Sequence, residues 1–301
     1  METKIYTIKT RSGLHCGIGQ GLSDIDLPTA KEAVSGYPFI PGTSLKGVLR
    51  DRFESNPDQD LFLSAFGQES TDKIDFAAAL SFTDARLVCL PVRAYFGTFA
   101  YLTSTYALKL LKESLEMSGY SNLPALPDYP ASTETDSYRA SLSGETKLLG
   151  TGTLNERILL EDLDLLVDET SSPLADAWSE IIAGLVCGED EEGKRLFKER
   201  FVIADDNVMA FLCETSLPVA THTRIGDNGV VAKGALWFEE FVPPEAIFYG
   251  NIYAEDSRSR NSRKLSAGEL LDFVCQQPIN CQVGGNATTG RGLISITFAN
   301  I

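Results

Sequence analysis

The stretch Pro41-Gly42-Thr43-Ser44-Leu45-Lys46-Gly47-Val48-Leu49-Arg50 reads as a Pro-Gly turn that opens a helix. Leu45, Val48, Leu49 and Phe53 recur at helical spacing, and Thr43 or Ser44 is placed to cap the first turn. Upstream, residues 5–10 alternate apolar and polar side chains as a half-buried strand does, and the glycine-rich residues 13–36 read as a long irregular loop. Downstream, residues 77–82 and 86–96 are strand-like, and residues 103–105 cap a helix through Met117. Residues 121–146, rich in Pro, Ser, Thr and acid, read as a surface insertion. The run Glu189-Asp190-Glu191-Glu192 starts a helix, since carboxylates suit a helix N-terminus.

The last third repeats the alternation. Asp205 caps a short helix to Cys213, and residues 218–225 and 230–241 flank Gly226-Asp227-Asn228-Gly229, a strong hairpin turn signal. Residues 247–253 form a strand. Ser266 with Glu269 is a capping box for a helix through Gln276, and strands at 279–283 and 293–298 surround a glycine loop. Strands and helices alternating in this way, with hairpins between strands, predict an α+β architecture of ferredoxin-like βαββαβ units.

The chain has 301 residues, 43% apolar and 23% charged, enough for a real core without a disulfide or metal staple. Its formal charge of −16 argues against a generic basic binder of nucleic acid or membranes. That charge is uneven: residues 1–52 carry +2, residues 53–220 carry −17 and residues 221–301 carry −1. The first residues lack an apolar core of signal-peptide length, and no apolar run is long enough to span a bilayer. The 6 cysteines contain no CxxC pair, and the 2 histidines are His15 and His222, so a zinc site of ordinary spacing is not expected. The thiols read as reduced residues of a cytoplasmic protein.

Three loops have the makings of a site. Thr43, Ser44, Lys46 and the free N–H groups of their helix start suit a phosphate oxygen; the plainer reading is a turn with an ordinary cap. Residues 284–292, Gly-Gly-Asn-Ala-Thr-Thr-Gly-Arg-Gly, superficially match a nucleotide P-loop. Arg291 replaces the lysine, Gly292 follows it and a strand comes next, which excludes a Walker ATPase. The glycines still imply close backbone approach, with Asn286, the threonines and Arg291 as phosphate donors, or else a simple hairpin bend. The third loop holds Asp24 and Asp26 before Leu27-Pro28. Asp26 suits a reacting centre or a divalent cation, although such an aspartate also serves as a turn residue.

Asp26-Leu27-Pro28, residues 37–47, Phe82-Thr83-Asp84-Ala85-Arg86 with Leu90-Pro91-Val92-Arg93, residues 234–240 and the terminal glycine loop together resemble the RAMP superfamily of CRISPR proteins. The resemblance is to the fourth, repeated backbone subunit of type III-B (Cmr) effectors. It runs over residues 4–299, most weakly over 118–200. It implies a single domain: a modified RRM-like palm from 1–117 and 245–301, a helical and acidic insertion at 118–200, and a β-hairpin thumb at about 217–241.

By the same resemblance the chain stacks with further copies of itself along a CRISPR RNA and assembles with other Cmr subunits. It cleaves target RNA at regular intervals through the substrate 2′-OH, using a divalent metal ion, Mg2+ or Mn2+. Asp26 is then the catalytic aspartate, as metal ligand or as base; His15 and Glu239 match further active-site positions. Phe241 stands where that family has a tyrosine, which removes a hydroxyl. Guide binding is implied for Thr43, Ser44, Lys46, Arg50, Arg93, Arg224, Gly284, Gly285, Asn286, Thr288 and Arg291. No membrane is involved. The alternatives are a non-catalytic guide-binding subunit, or a RAMP guide-processing nuclease, which works without metal and lacks the Asp-Leu-Pro context.

Overall fold

The computed structural model describes residues 1–17, 19, 25–68, 77–129, 138–151, 156–226, 229–258 and 263–299, with only the backbone for residues 233 and 234. Asp24 and the turn residues Asp227 and Asn228 lie outside the described residues. The chain begins with β1 (Glu2–Thr10), β2 (Phe39–Ile40), α1 (Gly42–Phe53), α2 (Gln59–Phe66), β3 (Leu80–Phe82), β4 (Ala85–Arg93), β5 (Phe99–Ser104) and α3 (Thr105–Met117). The middle holds β6 (Arg139–Leu142), β7 (Arg157–Leu160), β8 (Leu163–Val167), α4 (Ser172–Cys187), α5 (Glu191–Lys198), β9 (Phe201–Ala204) and α6 (Asp206–Thr215). The remainder is β10 (Val219–Ile225), β11 (Val231–Glu240), β12 (Ile247–Ala254), α7 (Ala267–Cys275), β13 (Ile279–Gln282) and β14 (Leu293–Phe298).

Among the described residues, 12 strands join in one sheet whose main path runs β13-β14-β1-β12-β4-β5-β9-β6-β8-β7. Along the path β14-β1-β12-β4 each strand is antiparallel to its neighbour. With α1 and α7 as the crossovers, they form the βαββαβ unit expected of a ferredoxin-like α+β fold. β10 and β11 leave this sheet as a separate two-stranded hairpin.

Both faces of the sheet are covered, which is why β12 is buried almost throughout, as IFYGNIYA. One face packs Ile8, Leu90, Phe248 and Ile252 against Leu45, Leu49, Phe62 and Leu270 from α1, α2 and α7. The other packs Ile5, Val88 and Tyr249 against Leu111 and Leu115 of α3 and Trp178 and Ile182 of α4. Among the described residues no helix is long and apolar enough to cross a membrane, and all 6 cysteines are free thiols.

Two expectations need correction. Neither Thr43 nor Ser44 caps α1: Pro41 stands at the cap position without a side-chain bond, and the Asp84 carboxylate instead accepts from Gly42 N at 2.8 Å. Gly42 is needed there because a Cβ would lie 2.5 Å from Phe82 O and 2.6 Å from Thr83 O. Residues 121–146 are more than a surface insertion. β6 joins the main sheet beside β9, and Trp178, with 0% exposure, donates its indole N–H to Ala125 O at 2.9 Å. The other caps fall as expected: Ser104, Asp190 and Asp205 accept from helix N–H groups, and Ser266 with Glu269 forms a full capping box.

Candidate functional site

Beyond β1 the chain returns to the foot of the β10–β11 hairpin. Leu14 and Val242 exchange two backbone hydrogen bonds of 2.8 Å. Residues 26–29 then run alongside the end of β11, with Leu27 N donating to Phe238 O and Glu240 N to Leu27 O, each at 3.0 Å. This pairing places Asp26, which stays exposed while its Oδ2 accepts from Phe238 N at 2.8 Å. A side chain in an irregular loop thus acquires a fixed position at the base of the hairpin.

The next residue of the hairpin, Glu239, is 3% exposed and gathers polar groups from three parts of the chain. The Asn286 side-chain amide donates to its Oε1, His15 Nδ1 lies 3.5 Å from the same oxygen, and His222 Nε2 lies 2.9 Å from Oε2. His15 is itself 8% exposed, and its Nδ1 is 2.8 Å from Glu240 O. A carbonyl only accepts, so this contact assigns the Nδ1 proton and leaves the lone pair on Nε2 in the neutral ring. Glu240 points to the opposite side, where its carboxylate accepts from Thr29 N at 3.1 Å and Lys31 Nζ at 2.7 Å.

The glycine loop is fastened onto the same segment. Gly285 N donates to His15 O and Gly292 N to Gly13 O, each at 2.9 Å. Gly284 has φ 81°, and a Cβ there would stand 2.3 Å from His15 O, so only glycine lets the two backbones approach. Asn286 adopts φ 62°, which turns its amide to Glu239. Its reading as a free phosphate donor therefore changes: the amide is engaged inside the cluster. Thr288 sits in the exposed turn of the loop, and the Arg291 guanidinium lies 3.8 Å from the centre of the Phe241 ring. The phenylalanine that lacks the hydroxyl holds this arginine by a cation–π contact.

The structure thus brings together Asp26, His15, Glu239, Gly284, Gly285, Asn286, Thr288 and Arg291. Other predicted residues are engaged elsewhere. Lys46 donates to Leu80 O at 2.9 Å, and burial, reinforced by the neighbouring Arg50, lowers its pKa. Arg50 donates to Gly67 O at 2.5 Å and its guanidinium lies 5.2 Å from the Phe62 ring centre. Thr43 is exposed and Ser44 half-buried on the same helix turn. Arg93 is gripped by Glu161, with Nε at 2.6 Å and Nη2 at 2.5 Å from Oε2, while Arg224 is exposed on β10. Composition alone missed His222; the hairpin register held the signal, because pairing across the turn sets it diagonal to Glu239.

Among the described residues no group of three or more His, Cys, Asp and Glu side chains is placed to hold a metal ion. An exposed single carboxylate such as Asp26 nonetheless fits Mg2+, which is held by one or two carboxylates while water and phosphate oxygens complete its shell.

The sequence pattern of the RAMP superfamily matches residues 7–295. A relative from Pyrococcus furiosus, described as CRISPR system Cmr endoribonuclease Cmr4, is 28% identical over 304 residues, covering 100% of this chain and 97% of its own. One from Saccharolobus solfataricus, CRISPR system CMR subunit Cmr4, is 24% identical over 311 residues, covering 99% and 96%. Among solved structures, oligomeric Cmr4 from Pyrococcus furiosus is similar with a TM-score of 0.71 at 24% identity, covering 100% of this chain and 99% of that one. A chain of the type III-B Cmr-beta complex bound to cognate target RNA is similar with a TM-score of 0.71 at 21% identity, covering 99% and 97%. The sequence pattern runs from within β1 to within β14, across the hairpin and the glycine loop, and the chain belongs to the RAMP superfamily.

Proposed function

We propose that this chain is the repeated backbone subunit of a type III-B effector, stacking in copies on a CRISPR RNA with other Cmr subunits, and that it cleaves the paired target RNA. The observation that supports this most directly is the placement of Asp26, an exposed carboxylate fixed by Phe238 N at the base of the hairpin, next to the buried Glu239 cluster and the glycine loop. The names of the relatives, an endoribonuclease and a subunit of the Cmr system, point the same way.

In the proposed reaction the 2′-oxygen of the target strand attacks the adjacent phosphorus. The P–O5′ bond breaks, leaving a 2′,3′-cyclic phosphate and a 5′-hydroxyl. A nucleotide kinked by the hairpin aligns its 2′-oxygen with that bond, and alignment is the largest contribution a rigid site makes. Asp26 takes the 2′-OH proton, or holds a divalent cation while solvent takes it, and the departing 5′-oxygen takes a proton from solvent. A bound Mg2+ or Mn2+ would stabilise charge on the phosphate oxygens. Arg291, steadied on Phe241, and the exposed glycine loop serve the RNA backbone through phosphate contacts, which position without reading sequence.

The test is target cleavage by the assembled complex. Asp26→Ala is expected to abolish it while guide and target binding persist, and EDTA is expected to stop the unmodified complex. Cleavage surviving in the variant would remove Asp26 from the reaction. Cleavage surviving EDTA would remove the metal.

A further inference from the structure

We propose that His222, on the hairpin, is the positioning residue for Glu239, so that the thumb itself completes the site; this rests on the nuclease reading above. A carboxylate withdrawn from water needs a donor or cation at each oxygen. Oε1 of Glu239 receives the Asn286 amide. His15 adds little there: its Nδ1 is 3.5 Å away and its proton points to Glu240 O at 2.8 Å. Oε2 faces His222 Nε2 at 2.9 Å. Nε2 is buried and lies at this distance without making an aligned hydrogen bond in the unliganded chain.

The hairpin is built to present this ring. His222 lies opposite Trp237 and Ala220 opposite Glu239, which makes His222 and Glu239 diagonal neighbours on one face. The small side chain of Ala220 leaves room across from Glu239. The imidazole is stacked on Trp237, with ring centres 5.4 Å apart and planes 14° from parallel, which fixes its plane. Glu239 is thereby held within the hairpin by His222 and from outside it by Asn286. A hairpin that moves as a unit would carry His222 and Glu239 together and leave Oε1 without the Asn286 amide.

Complexes assembled with His222→Ala, His222→Gln, Glu239→Gln and the double variant His222→Ala/Glu239→Gln test this. Single-turnover cleavage is expected to fall about 10- to 100-fold in His222→Ala with target affinity within about twofold. His222→Gln, which keeps a polar side chain beside Oε2, should recover most of the rate. The double variant should be no slower than the slower single variant. Multiplying defects, no rescue by glutamine or an unchanged rate in His222→Ala would each overturn the proposal.

A second measurement needs no cleavage. Trp178 is fully buried and Trp237 is not, so acrylamide quenching in the unliganded chain reports Trp237. Glu239→Gln should increase that quenching as the His222 ring loosens, and no change would count against the pairing. Failure of Asp26→Ala to stop cleavage would instead remove the nuclease reading and leave the quenching result standing.

Discussion

Gly284 and Gly290 share a left-handed backbone, at φ 81° and 78°, but not their surroundings. A Cβ at Gly284 would press on His15 O at 2.3 Å, whereas one at Gly290 would meet nothing within 4 Å. Gly290→Ala is expected to cost about 1 kcal/mol through backbone strain alone. Gly284→Ala is expected to cost about 2–3 kcal/mol, because the contact with His15 must also open. Urea denaturation of the two variants separates these contributions, and equal losses would mean that the loop does not clamp the His15 segment. The glycine content signalled close approach of something to this loop. Which partner approached, the chain's own His15 carbonyl, follows from segments more than two hundred residues apart in sequence.

At the scale of elements, α1 depends on a carboxylate from outside the helix. Asp84→Ala removes the acceptor for Gly42 N and is expected to lower stability by about 1 kcal/mol. Thr43→Ala and Ser44→Ala, which remove no cap, should stay within about 0.5 kcal/mol of the unmodified protein. Equilibrium unfolding distinguishes the two cases, and a larger loss from Ser44→Ala would restore it as the cap. The periodicity of Leu45, Val48 and Leu49 made the helix legible. Its cap was not, because Asp84 comes from the connection between β3 and β4. Caps within a few residues of their helices, such as Asp205 and Ser266, were legible for the opposite reason. The short strands β6 to β8 span 4 or 5 residues each and gain their stability from neighbours in the sheet, so local alternation could not announce them. Trp178→Ala, emptying a wholly buried site in α4, is expected to cost about 3–5 kcal/mol and to shift one cooperative transition. A separate early transition would make residues 118–200 an independent unit.

Across the whole molecule the acidic middle of the chain spreads along the sheet, and the end of α4, just before the acidic run 189–192, lies against β1 and β14, where Thr7 and Thr297 donate to the Leu185 and Val186 carbonyls. β13, β14 and β1 stand at one end of the path, next to the loops of the candidate site, and β6, β8 and β7 at the other. Among the described residues a minority of the acid in the middle of the chain is paired, as in Lys198 with Glu145 and Glu180, or Lys147 and Arg195 with Glu199. RNA affinity of the assembled complex should therefore fall as salt rises, in the manner of phosphate contacts. Arg291→Ala should weaken binding and flatten that dependence. Reversing an exposed acid next to α4, as in Glu189→Lys, should leave affinity within about twofold. Stronger binding in Glu189→Lys would place the acidic region against RNA. A filter-binding series at several salt concentrations reads all three.

The sequence by itself determined the alternation of strands and helices, the hairpin, most helix caps and the family, because these are written in local spacing and in motifs with a fixed order. It also nominated Asp26, His15, Glu239 and the glycine loop, which the fold brings together. Tertiary structure decided who meets whom: that Lys46, Arg50 and Arg93 engage the chain's own oxygens, that Asn286 serves Glu239, and that both histidines converge on that carboxylate. Those contacts join residues far apart in the chain. Burial makes an unsatisfied carboxylate or N–H costly, so the folded chain selects its partners, and no local pattern names them in advance.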